Sequence, residues 1–162
     1  MPGAQREGRQ RAVDSAEDRG RLEPGVNLAT LSEKRGRFEV FARIDLMGPD
    51  LLVTLWGGAP HIGALAMAVP RPSLRDPGER SATASVFTFP GHKEDAVAKL
   101  LSEGLSGRLD RHVVVVAGIH WDGLQPGEIN RIMEACEALS GRIALEMEKA
   151  PSTTGTKGHS SK

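Results

Sequence analysis

Apolar and polar side chains alternate along much of residues 37–89, and this period of two is typical of β-strands. The first run, residues 37–47, places on one face a set of apolar side chains: Phe38, Val40, Ala42, Ile44 and Leu46. Two glycine-containing breaks separate it from a more apolar strand at 51–56 and from a third strand within 61–70. These three strands are predicted to form an antiparallel meander, and a fourth strand is predicted at 83–89.

The second half of the domain changes to the helical period. Residues 90–107 predict a helix with Glu94 and Asp95 in its first turn, where carboxylates suit the helix dipole, and with one apolar face: Ala96, Val97, Leu100, Leu101 and Leu105. A strand at 112–119 is apolar on both faces and is therefore expected at the centre of the sheet. The last predicted helix has Pro126 in its first turn and carries one apolar stripe: Ile129, Ile132, Met133, Cys136, Leu139, Ile143 and Met147.

The end of this last helix is compatible with two structures. Gly141 interrupts the helical pattern, and apolar residues alternate after it as in a short closing strand. The high helix propensity of residues 144–147 favours a continued helix. The predicted order is then β-β-β-β-α-β-α. This order predicts an α+β domain with a mainly antiparallel sheet, a strand–helix–strand crossover and two helices packed on the sheet.

Composition divides the 162 residues into three parts. Residues 1–36 mix arginine, glutamate and glycine and predict a flexible N-terminal arm, residues 37–149 predict a single domain, and residues 150–162 predict a disordered tail. The 21 basic and 21 acidic residues balance, which gives no support for a nucleic-acid or membrane partner. The single cysteine, Cys136, excludes an intramolecular disulfide and suits the cytoplasm.

Three of the five histidines, His61, His92 and His120, lie at junctions between predicted elements, each close to glycine. Glycine permits positive φ or a close approach of the backbone to a ligand. The start of a helix suits a phosphate or carboxylate, and Lys93 adds a cation beside one such start. Trp121 offers a flat face to a ring system. The recurrence of this pattern predicts a shared ligand site.

Each of these residues also fits an ordinary structural role. Taken singly, a junction histidine is satisfied by local backbone groups, Asp122 caps a turn, and Trp56 packs in the core. The three histidines with Asp122 also form a metal-site hypothesis, but the histidines are 31 and 28 residues apart and match no compact ligand motif. Signatures of serine hydrolases, P-loop NTPases and zinc proteases are absent from the sequence.

The segments "LLVTLWGGAPHIGALAM", "FTFPGHKEDAVAKLL" and "HVVVVAGIHWDGLQPGEINRIM", in this order, carry a family resemblance. The chain resembles the D-subunit proteins that accompany UbiD-type hydroxyarylic acid decarboxylases such as gallate decarboxylase. That family is described as prenylated flavin chaperones, with a fold related to proteasome assembly chaperones. The resemblance covers about residues 38–140. The N-terminal arm, the loop at 70–82 and the tail lie outside it.

The resemblance implies an accessory protein, not an enzyme, that binds prenylated flavin mononucleotide or flavin mononucleotide and helps to deliver or mature it for a UbiD-type decarboxylase. With Trp121 added, it implies a cofactor site formed by Gly57, Gly58, His61, Gly63, Gly91, His92, Lys93, Gly118, His120, Asp122 and Gly123. The flavin phosphate is expected near Gly91, His92 and Lys93, and the ring system near His61, His120 and Trp121. No residue is assigned to catalysis or to a metal.

Two other functions remain open at this point. The first is an assembly chaperone that works by protein contact only, and the second is a metalloenzyme that uses His61, His92 and His120. A small sheet with open edges also favours a homodimer.

Overall fold

The computed structural model describes residues 26–149, in which six strands and two helices follow one another. The strands are β1 (Val26–Arg35), β2 (Phe38–Met47), β3 (Asp50–Gly58), β4 (Ala64–Pro72), β5 (Arg80–Thr88) and β6 (Val113–His120), and the helices are α1 (Asp95–Leu109) and α2 (Glu128–Lys149). The predicted α+β class and the element order from β2 onward are confirmed. One strand, β1, precedes the predicted series.

The sheet has the strand order β1-β2-β3-β6-β4-β5. Only β3 and β6 run parallel, and the other neighbouring strands are antiparallel. The predicted meander is therefore wrong for its third strand, because β6 lies between β3 and β4. Alternation of side chains identifies a strand but not its neighbour. The expected central position of β6 is confirmed.

Strand β1 corrects the predicted flexible arm over residues 26–35. It pairs antiparallel with β2 from Arg35↔Phe38 to Val26↔Leu46 and forms one edge of the sheet. An edge strand needs few apolar side chains, and here Ala29 and Leu31 are the ones that pack against the core. The expectations for residues 1–25 and for the tail at 150–162 lie outside the described residues.

Both helices lie on one face of the sheet and enclose the core with it. The largest fully buried side chains include Phe38, Ile44, Leu55, Leu101 and Leu139. In the 26–149 region, neither helix combines the length and the apolar character needed to cross a membrane.

The register of α1 differs from the predicted one. Ala96 and Leu100 are exposed, whereas the buried face holds Val97, Ala98, Leu101, Ser102, Leu105 and Ser106. Small side chains suit this face because it packs on the alanine-rich side of β4. The buried hydroxyl of Ser106 donates to the carbonyl of Arg111 at 2.9 Å, so no polar group is left unpaired there.

Helix α2 continues to Lys149, which confirms the favoured prediction for residues 142–148. Two details of its predicted start are wrong. The helix begins at Glu128, so Pro126 precedes it, and Ile129 is 60% exposed and does not belong to the buried stripe. A bidentate pair between Arg37 and Glu128 joins this start to the turn just before β2, with Nη2–Oε2 at 2.9 Å.

The other face of the sheet is not covered by either helix. Phe41 and Trp56 stack on it with ring centroids 5.6 Å apart, so Trp56 lies away from the helix-covered core. Further along the same face, Met67 and Phe87 are about half exposed, at 52% and 55%. A broad apolar surface therefore faces away from the helices.

Candidate functional site

The three histidine junctions meet at one end of the sheet. The parallel strands β3 and β6 end side by side, with Gly58 opposite His120, and β5 ends at the same edge. The ring of His61 lies 4.6 Å from that of His92 and 6.2 Å from that of His120, measured between centroids. The three rings that were widely separated in sequence are thus brought together.

The closest group consists of His61, His92 and Glu94, here called the His–Glu cluster. His61 Nε2 lies 3.0 Å from His92 Nδ1 and 2.9 Å from Glu94 Oε1. His92 Nδ1 lies 3.7 Å from Glu94 Oε2. The other ring nitrogen of His61, Nδ1, lies 3.1 Å from the carbonyl oxygen of Ala59.

Glu94 belongs to this cluster although the sequence did not predict it as a site residue. It directly precedes α1, its side chain makes no helix cap, and the residue is only 8% exposed. Its carboxylate accepts hydrogen bonds from the backbone N–H of Lys93 at 2.9 Å and of Ile119 at 3.4 Å. An acidic residue at a helix start is usually explained by the helix dipole, so its type alone did not suggest an inward position. The sequence feature that reflects this inward position is Gly63, because a β-carbon at residue 63 would overlap the Glu94 carboxylate.

His120 has a different partner. Its Nε2 lies 3.0 Å from Asp122 Oδ1, and the two side chains are 55% and 99% exposed. This pair lies on the surface beside the cluster and shares no hydrogen bond with it.

The glycines that were predicted as binding residues divide into two groups. Gly57, Gly58, Gly63 and Gly118 allow close packing within the protein: a β-carbon on Gly118 would overlap the carbonyl of His61, and one on Gly58 would overlap the carbonyl of His120. Gly91 and Gly123 adopt φ values of +86° and +64° in loops with open space around them. The first group holds the site together, and the second shapes its loops.

Trp121 packs inward across the end of β3. Its ring meets that of Phe38 edge to face at a centroid distance of 5.1 Å, and it lies directly against Gly57. Another part of the same side chain lines a cavity. Trp121 is therefore a fixed wall and not a freely moving ligand platform.

This cavity has a volume of about 290 Å³ and lies between the histidine loops and α2. One wall is polar and is formed by Gly91, His92, Lys93, Glu94 and His120. The opposite wall is apolar and includes Leu124, Ile129, Ile132, Met133 and Cys136. Burial raises the pKa of the Cys136 thiol to about 12, so this sulfur is a neutral apolar surface and not a nucleophile.

The predicted site residues fall into three positions relative to the cavity. Five of them line it: Gly91, His92, Lys93, His120 and Trp121. His61 reaches it through the His–Glu cluster, and Gly57, Gly58, Gly63 and Gly118 support it from behind. Asp122 and Gly123 stand outside its lining. The apolar wall from α2 was not predicted, because a helical stripe looks the same whether it faces a core or a cavity.

An ion pair between Arg37 and Glu128 holds the start of α2, where the apolar wall begins. The Arg37 guanidinium, together with the backbone N–H of Gln125, lowers the pKa of Glu128 to about 2. The pair is exposed to solvent, so its effect on stability is small, but it anchors this end of the helix to the turn just before β2.

Three comparisons with known proteins were made, and the family model is the one that assigns the chain to a family. A search among curated proteins found no match. A search of solved structures matched a chain from "Crystal Structure of a Novel Chaperone Complex for Yeast 20S Proteasome Assembly", with 11% identity and a TM-score of 0.49, covering 74% of this chain and 97% of that chain. The family model for the prenylated flavin chaperone LpdD-like domain matches residues 34–148, which span β2 to α2 and every residue of the site. The chain therefore belongs to the prenylated flavin chaperone LpdD-like domain family.

Proposed function

We propose that this protein binds prenylated flavin mononucleotide, or flavin mononucleotide itself, and delivers it to a UbiD-type aromatic acid decarboxylase in the cytoplasm. It is then an accessory protein that holds the cofactor, and decarboxylation takes place on the partner enzyme. The observation that carries the proposal is the cavity of about 290 Å³ between the histidine loops and α2 in a member of a flavin chaperone family.

The size of the cavity suits partial enclosure of a flavin. Its volume lies just below the range of about 300–1,000 Å³ that is typical of small-molecule sites. A whole flavin mononucleotide is larger than this, so one end of it extends past the rim. Incomplete burial suits a protein that must release its ligand to another protein.

The phosphate is placed at the rim, beside Lys93. This lysine is exposed and lines the cavity, and no ion pair of Lys93 is found within the described range 26–149. Its side chain is thus available to an anionic group of the ligand. The carboxylate of Glu94, which would repel a phosphate, is engaged by His61 and by two backbone N–H groups.

The ring system is placed between the polar wall and α2. Trp121 and His120 offer flat side chains on one side, and Met133 and Ile132 offer an apolar surface on the other. The additional ring of a prenylated flavin is apolar, and its burial against α2 favours this form over the unmodified flavin. Polar groups of the flavin then face His92 and His120.

The proposal is tested by co-expression of the protein with a flavin prenyltransferase, followed by anaerobic purification and an absorbance spectrum. We expect a bound flavin chromophore in the wild-type protein. His92→Ala and His120→Ala should each lose the chromophore while their thermal unfolding curves stay cooperative. The matched control is His112→Ala, which removes an exposed histidine next to Asp50 at the opposite end of β6. Normal uptake by both site variants would exclude the proposed site.

A protein partner is the second part of the proposal, and the uncovered sheet face supports it. Large contiguous apolar surfaces on a protein of this size usually mark an interaction site. We propose a homodimer formed through this face, which includes Met67 and Phe87. Light scattering should give twice the chain mass, and Phe87→Glu should give a monomer that still takes up flavin. A monomeric wild type would contradict the dimer.

A chaperone that acts by protein contact only is the alternative that the same face favours. It differs from the main proposal in one measurable respect. Its association with a decarboxylase subunit would be independent of flavin and unchanged in His92→Ala, whereas a cofactor carrier should associate differently in its loaded and empty forms.

A further inference from the structure

The His–Glu cluster joins three metal-type donors from separate parts of the chain. His61 comes from the β3–β4 connection, His92 from the loop after β5, and Glu94 from the residue before α1. One donor atom from each lies within 4.8 Å of the others. Each of the three residues is buried or half-buried, unlike the exposed pair of His120 and Asp122.

The hydrogen bonds around His61 leave a lone pair pointing into the cluster. The carbonyl oxygen of Ala59 can only accept, so at 3.1 Å it selects the tautomer with the proton on Nδ1. In the neutral imidazole, Nε2 then carries a lone pair and faces Glu94 Oε1 at 2.9 Å. Two acceptors at this distance need either a shared proton or a metal ion between or beside them.

Within residues 26–149, the only cationic side chains that can neutralise Glu94 are the two histidines of the cluster itself. Among residues 26–149, Glu94 forms ion pairs with His61 and His92 only, and neither a lysine nor an arginine reaches it. Its carboxylate already accepts hydrogen bonds from two backbone N–H groups, which orient it toward the histidines. The cluster is thus a set of three metal-type donors whose carboxylate is balanced by a shared proton or by a bound cation.

The donor spacing suits a transition-metal ion. Ligands placed about 2.0–2.1 Å from a tetrahedral ion are roughly 3.3 Å from one another. His61 Nε2 lies 3.0 Å from His92 Nδ1 and 2.9 Å from Glu94 Oε1, and His92 Nδ1 lies 3.7 Å from the other carboxylate oxygen, Oε2. Supporting contacts of the kind found around metal sites are also present, because His61 donates to a backbone carbonyl and Glu94 accepts from the backbone.

We propose that His61 Nε2, His92 Nδ1 and the Glu94 carboxylate bind one divalent transition-metal ion of the zinc or ferrous-iron class. Two imidazoles and one carboxylate favour these ions over magnesium or calcium, which prefer oxygen ligands only. Three protein ligands leave at least one coordination position open. Because His92 and Glu94 line the cavity, that position faces the cavity and takes an oxygen ligand there.

This site differs from the metal hypothesis that the sequence suggested. That hypothesis grouped three histidines, whereas the structure replaces His120 with Glu94. The inference also goes beyond the proposed function, since the ion binds without a flavin. Metal binding and flavin uptake can therefore succeed or fail separately.

The test uses the full chain without a histidine tag, stripped of metal with a chelator and free of flavin. Titration calorimetry with Zn²⁺ should give one ion per chain and a Kd below about 10 µM. Glu94→Gln and His92→Ala should each weaken binding by more than about 100-fold, the upper end of what the loss of a supporting contact costs. His112→Ala is the control and should bind as the wild type does.

Two results would overturn the proposal. One is wild-type binding that is weaker than about 10 µM or below one ion per chain, which would mean that the cluster shares a proton instead. The other is a loss of zinc affinity in His120→Ala as large as that in His92→Ala, which would mean that the ion is bound by the three histidines. Should a variant fail to fold, X-ray absorption of the zinc-loaded wild type decides the matter, because the proposal requires two imidazoles and no sulfur around the ion.

Discussion

The two walls of the cavity are made in different ways. The polar wall consists of loop residues such as His92, Glu94 and His120, whose positions depend on glycine-assisted contacts between backbone segments. The apolar wall consists of Ile132 and other side chains of α2, whose positions follow from the helical period. The first wall supplies polar groups, and the positions of these groups are sensitive to a single added β-carbon. The second supplies shape, and its inner part at Ile132 and Cys136 is buried.

The strongest test of this contrast concerns the thiol in the apolar wall. The pKa of Cys136 rises from an ordinary value of 9.0 to about 12 because of burial, so its thiolate fraction at neutral pH falls by about 1,000-fold. Alkylation by iodoacetamide should be slower than that of the urea-unfolded chain by at least this factor. Alkylation at the unfolded-state rate would show that water enters the apolar wall.

The same thiol gives a pH dependence of stability. The folded pKa is raised, so the unfolded chain loses its thiol proton at lower pH than the folded one. The contribution of Cys136 is fully present below pH 9.0 and is lost as the pH rises toward 12. Cys136→Ala should flatten the alkaline limb of a plot of unfolding free energy against pH.

The next largest effect is expected behind the polar wall, in Gly118→Ala. The new β-carbon would overlap the backbone of His61, which cannot move without breaking the hydrogen bond from Gly63 N–H to Ala117 O. We expect a loss of more than about 3 kcal/mol in urea unfolding. The matched control is Gly141→Ala in α2, where space is open and the better helix former should add about 0.5–1 kcal/mol. Equal changes in the free energy of unfolding for Gly118→Ala and Gly141→Ala would contradict the proposed difference between the loop wall and the helix wall.

Glu94→Ala and Asp122→Ala compare the two carboxylates beside the histidines. The first leaves the N–H groups of Lys93 and Ile119 without their acceptor and should cost about 1–3 kcal/mol in metal-free buffer. The second removes a side chain that is 99% exposed and should change stability by less than about 0.5 kcal/mol. Urea unfolding of both variants measures the difference. A large loss in Asp122→Ala would contradict the surface role of the His120 pair.

The smallest effect is expected where α2 is anchored. Removal of the guanidinium in Arg37→Ala should raise the pKa of Glu128 from about 2 toward 4.5, as followed by NMR titration of its carboxyl carbon. The folded pKa is lowered, so the pair stabilises the protein above pH 4.5 and this effect is lost as the pH falls toward 2. An unchanged titration would mean that Gln125 alone holds the carboxylate.

The fold was predictable to the extent that periodicity determines it. Alternation located β2 to β5, and the doubly apolar β6 was correctly expected at the centre of the sheet. The alternation of side chains along a strand does not specify which strands pair with it, so the position of β6 between β3 and β4 was not predicted. Strand β1 was missed because an edge strand needs only a few apolar contacts, here from Ala29 and Leu31.

The site was predictable where residue type and position were both unusual. His61, His92 and His120 stood out because each lies at a junction beside glycine, and the structure brings their rings together. Glu94 did not stand out, since an acidic residue at a helix start has an ordinary explanation. The roles of Gly58 and Gly118 required knowledge of which backbones cross, which depends on strand order.

The connection at residues 59–63 has a consequence for how the chain folds. It bridges β3 and β4 across the end of β6, through hydrogen bonds from Ala59 N–H to His120 O and from Gly63 N–H to Ala117 O, both 2.9 Å long. Strand β6 is made about 50 residues later, and long-range pairing of this kind is slow because loop closure must precede it. We therefore expect β1–β3 and β4–β5 to form as separate hairpin units, and the cavity to be assembled only when β6 docks between them. During synthesis, the site would be among the last parts of the protein to mature.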